Sequence, residues 1–144
     1  MLAILLLIAS GCSPGLLPLA MAPPALPLEY YKCIEVQPQA LVDAYYAPYS
    51  DASETQRLYE NVVFVFKDIE LTESVRAGAG EGYIWAGTAL VKCFCTNIRD
   101  ARRYRVGDRI DIVGVNKGPL NISGAVILAD CYILPAGLLQ LPAG

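Results

Sequence analysis

The chain has 144 residues, 55% of them hydrophobic and 17% charged, with a formal net charge of −3 and no histidine. A mildly acidic total argues against a dedicated nucleic-acid binder. Without histidine the usual general base near neutral pH is absent, and with it any Ser-His-Asp or Cys-His arrangement.

At the N-terminus an apolar run from Leu2 to Ala9 ends in Ser10-Gly11-Cys12 and is followed by prolines. Small residues just before a cysteine suit the narrow site of a lipoprotein signal peptidase, and the cysteine, its thiol bearing the lipid, becomes the new N-terminal residue when the bond before it is cleaved. The expectation is a signal peptide over residues 1–11 and a lipidated Cys12, with the protein exported and held on the outer side of the cell membrane. No Lys or Arg precedes the run, and Ala9 stands where such a box usually has Leu or Val, so two other readings stay open. One is an uncleaved anchor reaching Ala22, disfavoured by Pro14, Gly15 and Pro18, which leave an apolar core of about eight residues against the ~20 a spanning helix needs. The other is ordinary secretion with cleavage after Ala22, which Pro23 disfavours. Residues 12–28 hold five prolines and no charge, a composition that reads as a semi-stiff tether.

Residues 29–134 are expected to form one domain with a modest core. Leu41, Val42, Tyr45, Tyr46 and Tyr49 recur at helical spacing, Pro48 ends or kinks that helix, and Ser50 or Asp51 caps a second one with Leu58 and Tyr59 on its apolar side. The period then changes to two. Val63, Val65, Ile69 and Leu71 are expected on one face of a strand, with Phe64, Phe66, Asp68 and Glu70 on the other. The stretch from Ala77 to Gly82 reads as a loop, Tyr83–Ala86 and Thr88–Cys95 as strands, Arg109–Val115 as a fourth strand, Gly118-Pro119 as a turn, and Ala125–Leu134 as a fifth strand. Residues 135–144, with Leu-Pro-Ala-Gly at 134–137 and again at 141–144, read as a flexible tail. The fold class is mainly β: a helical segment followed by five strands, closed as a small barrel to remove exposed edges.

The segment from Tyr104 to Gly114, Gly118, and the run from Val126 to Tyr132 resemble the fourth and fifth strands of an OB-fold. More narrowly, the chain resembles the tRNA-anticodon-binding-like OB family of envelope lipoproteins over residues 39–134, with Ala52 and Tyr59 in the helix before the first strand, Cys93 ending the third strand and Cys131 after an Asp in the fifth. Phe64 and Phe66 stand where that family usually has a glycine. The resemblance implies a five-stranded OB barrel and establishes no activity.

Setting Cys12 aside, Cys33, Cys93, Cys95 and Cys131 are an even number in a protein expected outside the cytoplasm, where disulfides persist. The third and fifth strands of an OB-fold are neighbours, so the resemblance implies a Cys93–Cys131 disulfide. Cys95, two residues from Cys93, is then left for Cys33. A four-cysteine zinc site is disfavoured because the chain lacks C-x-x-C knuckles, and unpaired buried thiols remain the alternative.

Charge is uneven: Glu29 to Gly82 holds ten acids and four bases, and Tyr83 onward four acids and seven bases. Arg99, Arg102, Arg103, Arg105 and Arg109 lie before the fourth strand, and Tyr83, Trp85, Lys92 and Phe94 fall on the second and third strands, where OB-folds hold oligonucleotides or oligosaccharides. The plainer reading is a solvated, charged connection with Asp100 and Asp108 interspersed, and a tryptophan that serves the core. Asp68, Glu70 and Glu73 look like a solvated strand face, Ser74 and Ser123 have no visible activator, and Gly78, Gly80 and Gly82 lack the lysine of a phosphate cradle. No enzyme activity, cofactor or metal is therefore expected. Two functions remain. The domain is an accessory subunit docked to a membrane complex through its tyrosines, Tyr30, Tyr31, Tyr45, Tyr46 and Tyr49 among them. Alternatively its barrel face holds a soluble ligand, anionic or a glycan.

Overall fold

The computed structural model describes residues 25–78, 81–120 and 124–139. The leader, Cys12, nearly all of the tether, residues 79–80 and 121–123, and the last five residues of the tail lie outside the described residues. The described residues are mainly β. A 3-10 turn, Leu28–Lys32, leads into β1 (Ile34–Glu35), α1 (Pro38–Tyr46) and α2 (Ala52–Tyr59). Then come β2 (Val63–Glu70), β3 (Arg76–Gly78), β4 (Glu81–Trp85), β5 (Val91–Cys95), α3 (Ile98–Ala101), β6 (Arg109–Leu120) and β7 (Ala125–Pro135). They form one mixed sheet of seven strands, where five were expected, in the order β1-β2-β6-β7-β5-β4-β3.

The helices start and stop for local reasons. Pro38 opens α1, where its missing N–H costs nothing, and the chain leaves the helix at Ala47, just before Pro48. Asp51 caps α2, its carboxylate accepting from the N–H groups of Ser53 and Glu54 at 3.0 and 3.1 Å. The apolar side expected for α2 is not the buried one: Leu58 and Tyr59 are exposed and Thr55 is the residue covered. Thr55 Oγ1 donates to Ala44 O of α1 at 2.7 Å, so a hydroxyl joins the two helices.

Two of the sequence expectations fail in the strands, one at the β3–β4 pair and one at the β2–β6 pair. Arg76, Ala77 and Gly78 pair with Tyr83, Gly82 and Glu81, so the expected glycine-rich loop is a hairpin. In β2, Lys67 and Asp68 oppose the single Asp111 of β6 between the pairs Phe66–Ile112 and Ile69–Ile110, which is a bulge, and Asp68 takes the left-handed φ of 56° that it needs. The bulge reverses the alternation. Val63 and Val65 pack in one apolar cluster, whereas Ile69 and Leu71, expected beside them, turn to the other cluster with Phe64 and Phe66. A second bulge lies in β7 at Asp130 (φ 52°), where Leu128 to Cys131 opposes Cys93 to Cys95.

Bulges bend the strands that carry them, and the sheet curls around the larger cluster. Phe66 from β2, Ile84 from β4, Val91 from β5, Ile112 from β6 and Leu128 from β7 all belong to it. α1 seals the end where β7 begins, through Leu41, Val42 and Tyr45. α3 seals the other end with Ala101. The second cluster lies on the outer face of the sheet, where Val65, Val113 and Leu134 are covered by Leu26, Tyr30 and Cys33 from the N-terminal side and by Leu139. Pro135 to Leu139, expected in the flexible tail, are therefore packed as far as Leu139.

Two buried polar groups organise this frame. Asp111 has no exposed surface; it accepts from Asp68 N at 2.8 Å and Gly137 N at 3.4 Å, and its Oδ2 lies 3.1 Å from Lys67 Nζ. Lys67 also donates to Leu139 O at 2.7 Å, so the β2 bulge and the C-terminal segment are fastened at one point. Asn116, also fully buried, donates to Tyr45 Oη and Tyr59 O, each at 2.9 Å, and ties both helices to β6. Replacing Asp111 by Ala removes the carboxylate shared by an ammonium and two backbone N–H groups, and is expected to cost about 3 kcal/mol. The cost is read as a lowered urea midpoint; an unchanged midpoint contradicts the fastening role.

Candidate ligand-binding face

β4 and β5 pair antiparallel with Tyr83 opposite Phe94 and Trp85 opposite Lys92. Directly opposed residues point to the same side of a sheet, and with Ile84 and Cys93 turned into the core these four form the outer face. The structure thus brings the four residues together. Lys92 Nζ sits 4.1 Å from the centroid of the Tyr83 ring, 5.1 Å from that of Phe94 and 6.0 Å from that of Trp85. The Tyr83 and Trp85 rings meet edge-on at 6.5 Å, and Tyr83 is tilted against Phe94 at 6.0 Å. All four side chains are half-buried. Trp85 is outside the inner core, against the plainer reading.

The β3 hairpin adds Arg76, whose backbone pairs with Tyr83 and whose guanidinium bonds Glu73 Oε1 at 2.7 Å. Sequence reasoning missed this residue because the Gly/Ala composition of 77–82 hid the strand. The face can offer a ligand ring edges and faces, a central ammonium, and a peripheral guanidinium already matched by a carboxylate. Such a set suits stacking with one charge contact.

The other expected arginines are not part of it. Arg99 lies on α3, and Arg102, Arg103 and Arg105 follow in the connection to β6, beyond the strand ends. Arg103 pairs with Asp100 at 3.0 Å, and with Arg109, Tyr104, Asp108 and Pro135 it lines a separate cavity of about 200 Å³. Arg109 is held by Asp68, Nε to Oδ1 at 2.9 Å and Nη2 to the carbonyl at 2.6 Å. That contact holds the Asp68 carboxyl below its ordinary range.

The five tyrosines expected at an interface divide. Tyr30 is buried and donates to Asp130 O at 2.9 Å, and Tyr45 is buried and donates to Gln56 Oε1 at 2.7 Å. Tyr31 and Tyr46 are exposed at the ring, Tyr46 using its hydroxyl on Ala125 O at 3.1 Å, and Tyr49 is 90% exposed.

Neither expected disulfide is present: Cys33, Cys93, Cys95 and Cys131 are free thiols. The Asp130 bulge sets Cys131 opposite Cys95 and leaves Cys93 opposite Leu128. Cys33 lies in the outer cluster while Cys95 packs against the inner one, so the sheet itself separates that pair. Cys93, Cys95 and Cys131 instead point their thiols at the carbonyls of Val91, Cys93 and Ala129, at 3.8–3.9 Å. Cys131 Sγ fills the space that a Cβ on Gly114 would take. Burial, with Cys93 adjacent, pushes the Cys95 thiol up to about 12, and burial together with a hydrogen bond to Cys93 raises Cys131 well above the usual range.

In the unfolded chain these thiols ionise near the ordinary value of 9.0, whereas folded Cys95 keeps its proton to about 12. The stabilising effect is intact below pH 9.0 and is lost as pH rises from there toward 12. Urea midpoints measured in reductant should be lower at pH 10.5 than at pH 7; equal midpoints would contradict the buried thiols. At pH 8 iodoacetamide should label Cys33, Cys93, Cys95 and Cys131 slowly in the native protein and fully in urea without reductant. A need for reductant before labelling overturns the free-thiol assignment. No protein-family model matches the chain, and no curated protein sequence matches it.

Proposed function

We propose that this chain is a lipid-anchored binding module of the cell envelope, an OB-fold barrel that holds an acidic glycan on the outer face of β4 and β5. The observation that carries the reading is Lys92, set among the rings of Tyr83, Phe94 and Trp85 on an accessible strand face. A sugar ring presents an apolar face to an aromatic and a carboxylate to an ammonium, and this surface offers both. Support for the OB assignment comes from connectivity. Counting β2, β4, β5, β6 and β7 as the five barrel strands, the third and fifth (β5 and β7) are parallel neighbours, as the resemblance implies. An exported, lipid-anchored setting, resting on Ser10-Gly11-Cys12, favours a glycan over nucleic acid.

A second reading, an accessory subunit docked on a membrane complex, is favoured by Tyr49 and Leu58, which are 90% and 51% exposed on the helical side. Burial of Tyr30 and Tyr45 removes part of its basis. Purification in mild detergent separates the two: a stoichiometric protein partner supports docking.

The direct test is titration with a hyaluronan tetrasaccharide, followed by Trp85 fluorescence and calorimetry, with an uncharged chitotetraose and a single-stranded oligonucleotide alongside. The acidic glycan should bind best, and Trp85→Ala or Lys92→Met should weaken it about tenfold, as expected for one stacking or charge contact. Absence of binding, or variants that bind like wild type, refutes the reading. The mass of the native N-terminal peptide checks the anchor through a diacylglyceryl thioether on Cys12.

A further inference from the structure

A groove lies beside the start of α1, between two stretches of the curled sheet that do not pair with each other among the described residues. On one side runs the end of β2 with the residues after it; on the other is the turn from β4 to β5. Thr72 Oγ1 donates across it to Gly87 O at 3.3 Å. Two cavities, of about 320 and about 400 Å³, meet here along Thr72, Gly87, Thr88 and Ala89. Each has the volume of a small-molecule site. The larger ends at Trp85, which belongs to the aromatic face; the smaller reaches Gln37 and Gln39 at the start of α1.

We infer that this groove is a second subsite of the β4–β5 face and takes the uncharged rings of a glycan chain whose acidic ring rests at Lys92. The inference rests on the glycan-binding reading above and extends it from a single ring to a chain. Three observations carry it. Trp85 lines the groove and also lies on the aromatic face, so a ligand stacked there enters the groove without a gap. The neutral polar lining, Thr72, Thr88, Gln37 and Gln39, consists of side chains that both donate and accept, as sugar hydroxyls do.

The third observation concerns charge. Asp68 and Glu70, 2.9 and 3.8 Å from Arg109, share its single guanidinium, and Glu73 lies 2.7 Å from Arg76, so these acids outnumber the bases they face by one. The groove therefore disfavours a carboxylate, unlike the Lys92 face. A peptide strand is a poorer occupant, because the left-handed Asp68 breaks the regular β2 edge on which it would have to pair.

The test is a length series, from di- to octasaccharide, of chito-oligosaccharides ended by one glucuronate ring. It is measured on the full chain and on two variants, Thr88→Leu and the double variant Gln37→Ala/Gln39→Ala. All these residues are exposed, and retained folding is checked by circular dichroism. Wild-type affinity should rise at least tenfold from disaccharide to hexasaccharide. Both variants should lose that rise while binding the disaccharide normally, and Lys92→Met should weaken every length in proportion. If the disaccharide binds but affinity does not grow with length, the groove is not a subsite and the face reading stands. Growth with length that survives both variants overturns the subsite in the same way. If no length binds, the face reading fails and takes the subsite with it.

Discussion

The carboxylate of Asp111 is the point on which the geometry of this domain turns. It is fully buried, faces Lys67 across 3.1 Å, and holds the backbone N–H of Asp68 at the centre of the β2 bulge. A buried ion pair does not by itself make a protein stable, since both charges must first be taken out of water. Its effect here is to specify. With Asp68 N–H fixed, β2 accommodates one extra residue, its alternation reverses, and Ile69 and Leu71 are delivered to the inner core beside Phe64 and Phe66. A strand without that reversal would point Ile69 and Leu71 to the outer face and leave the inner core beside α1 under-filled.

Much of the fold was legible because hydrophobic period and capping chemistry act locally. Asp51 was recognisable as a cap, Pro48 as a stop, and Arg109–Val115 and Ala125–Leu134 as strands, and each lies in or beside the matching element. What escaped depends on contacts made far along the chain. The segment from Val63 to Leu71 has Lys67 on the face shared by Val63, Val65, Ile69 and Leu71, but nothing in it reports that Asp111, more than forty residues on, will stabilise a bulge. The Arg76–Gly78 strand has glycine and alanine where a strand normally has branched residues, so only its partner β4 reveals it.

The candidate site followed the same division. Tyr83, Trp85, Lys92 and Phe94 were expected together because the OB resemblance implies a binding face on the second and third strands, and the pairing of β4 with β5 does bring them to one side. The arginines could not be placed, because their positions depend on how α3 and the connection after it meet the ends of the strands. The thiols show the cost of reasoning from adjacency. Cys93 and Cys131 do sit on neighbouring strands, as the resemblance implied, yet one added residue at Asp130 changes which cysteine faces which. Two core thiols and a third at the margin then act as small apolar side chains, their protons directed at backbone carbonyls two residues back.

The outer cluster has a mechanical meaning. Leu26, Tyr30 and Cys33, which enter from the N-terminal side, share it with Leu139, so the first and last described stretches of the chain are clasped by one patch. β1 adds only a two-residue parallel ladder to that clasp. Tension transmitted from the N-terminus would peel this layer strand by strand, like a zipper, and would release Leu139 in the same event. The inner side of the sheet, with its separate core, would bear load only afterwards. The domain thus carries a thin outer coupling in series with a larger one, and the aromatic face on β4 and β5 belongs to the second.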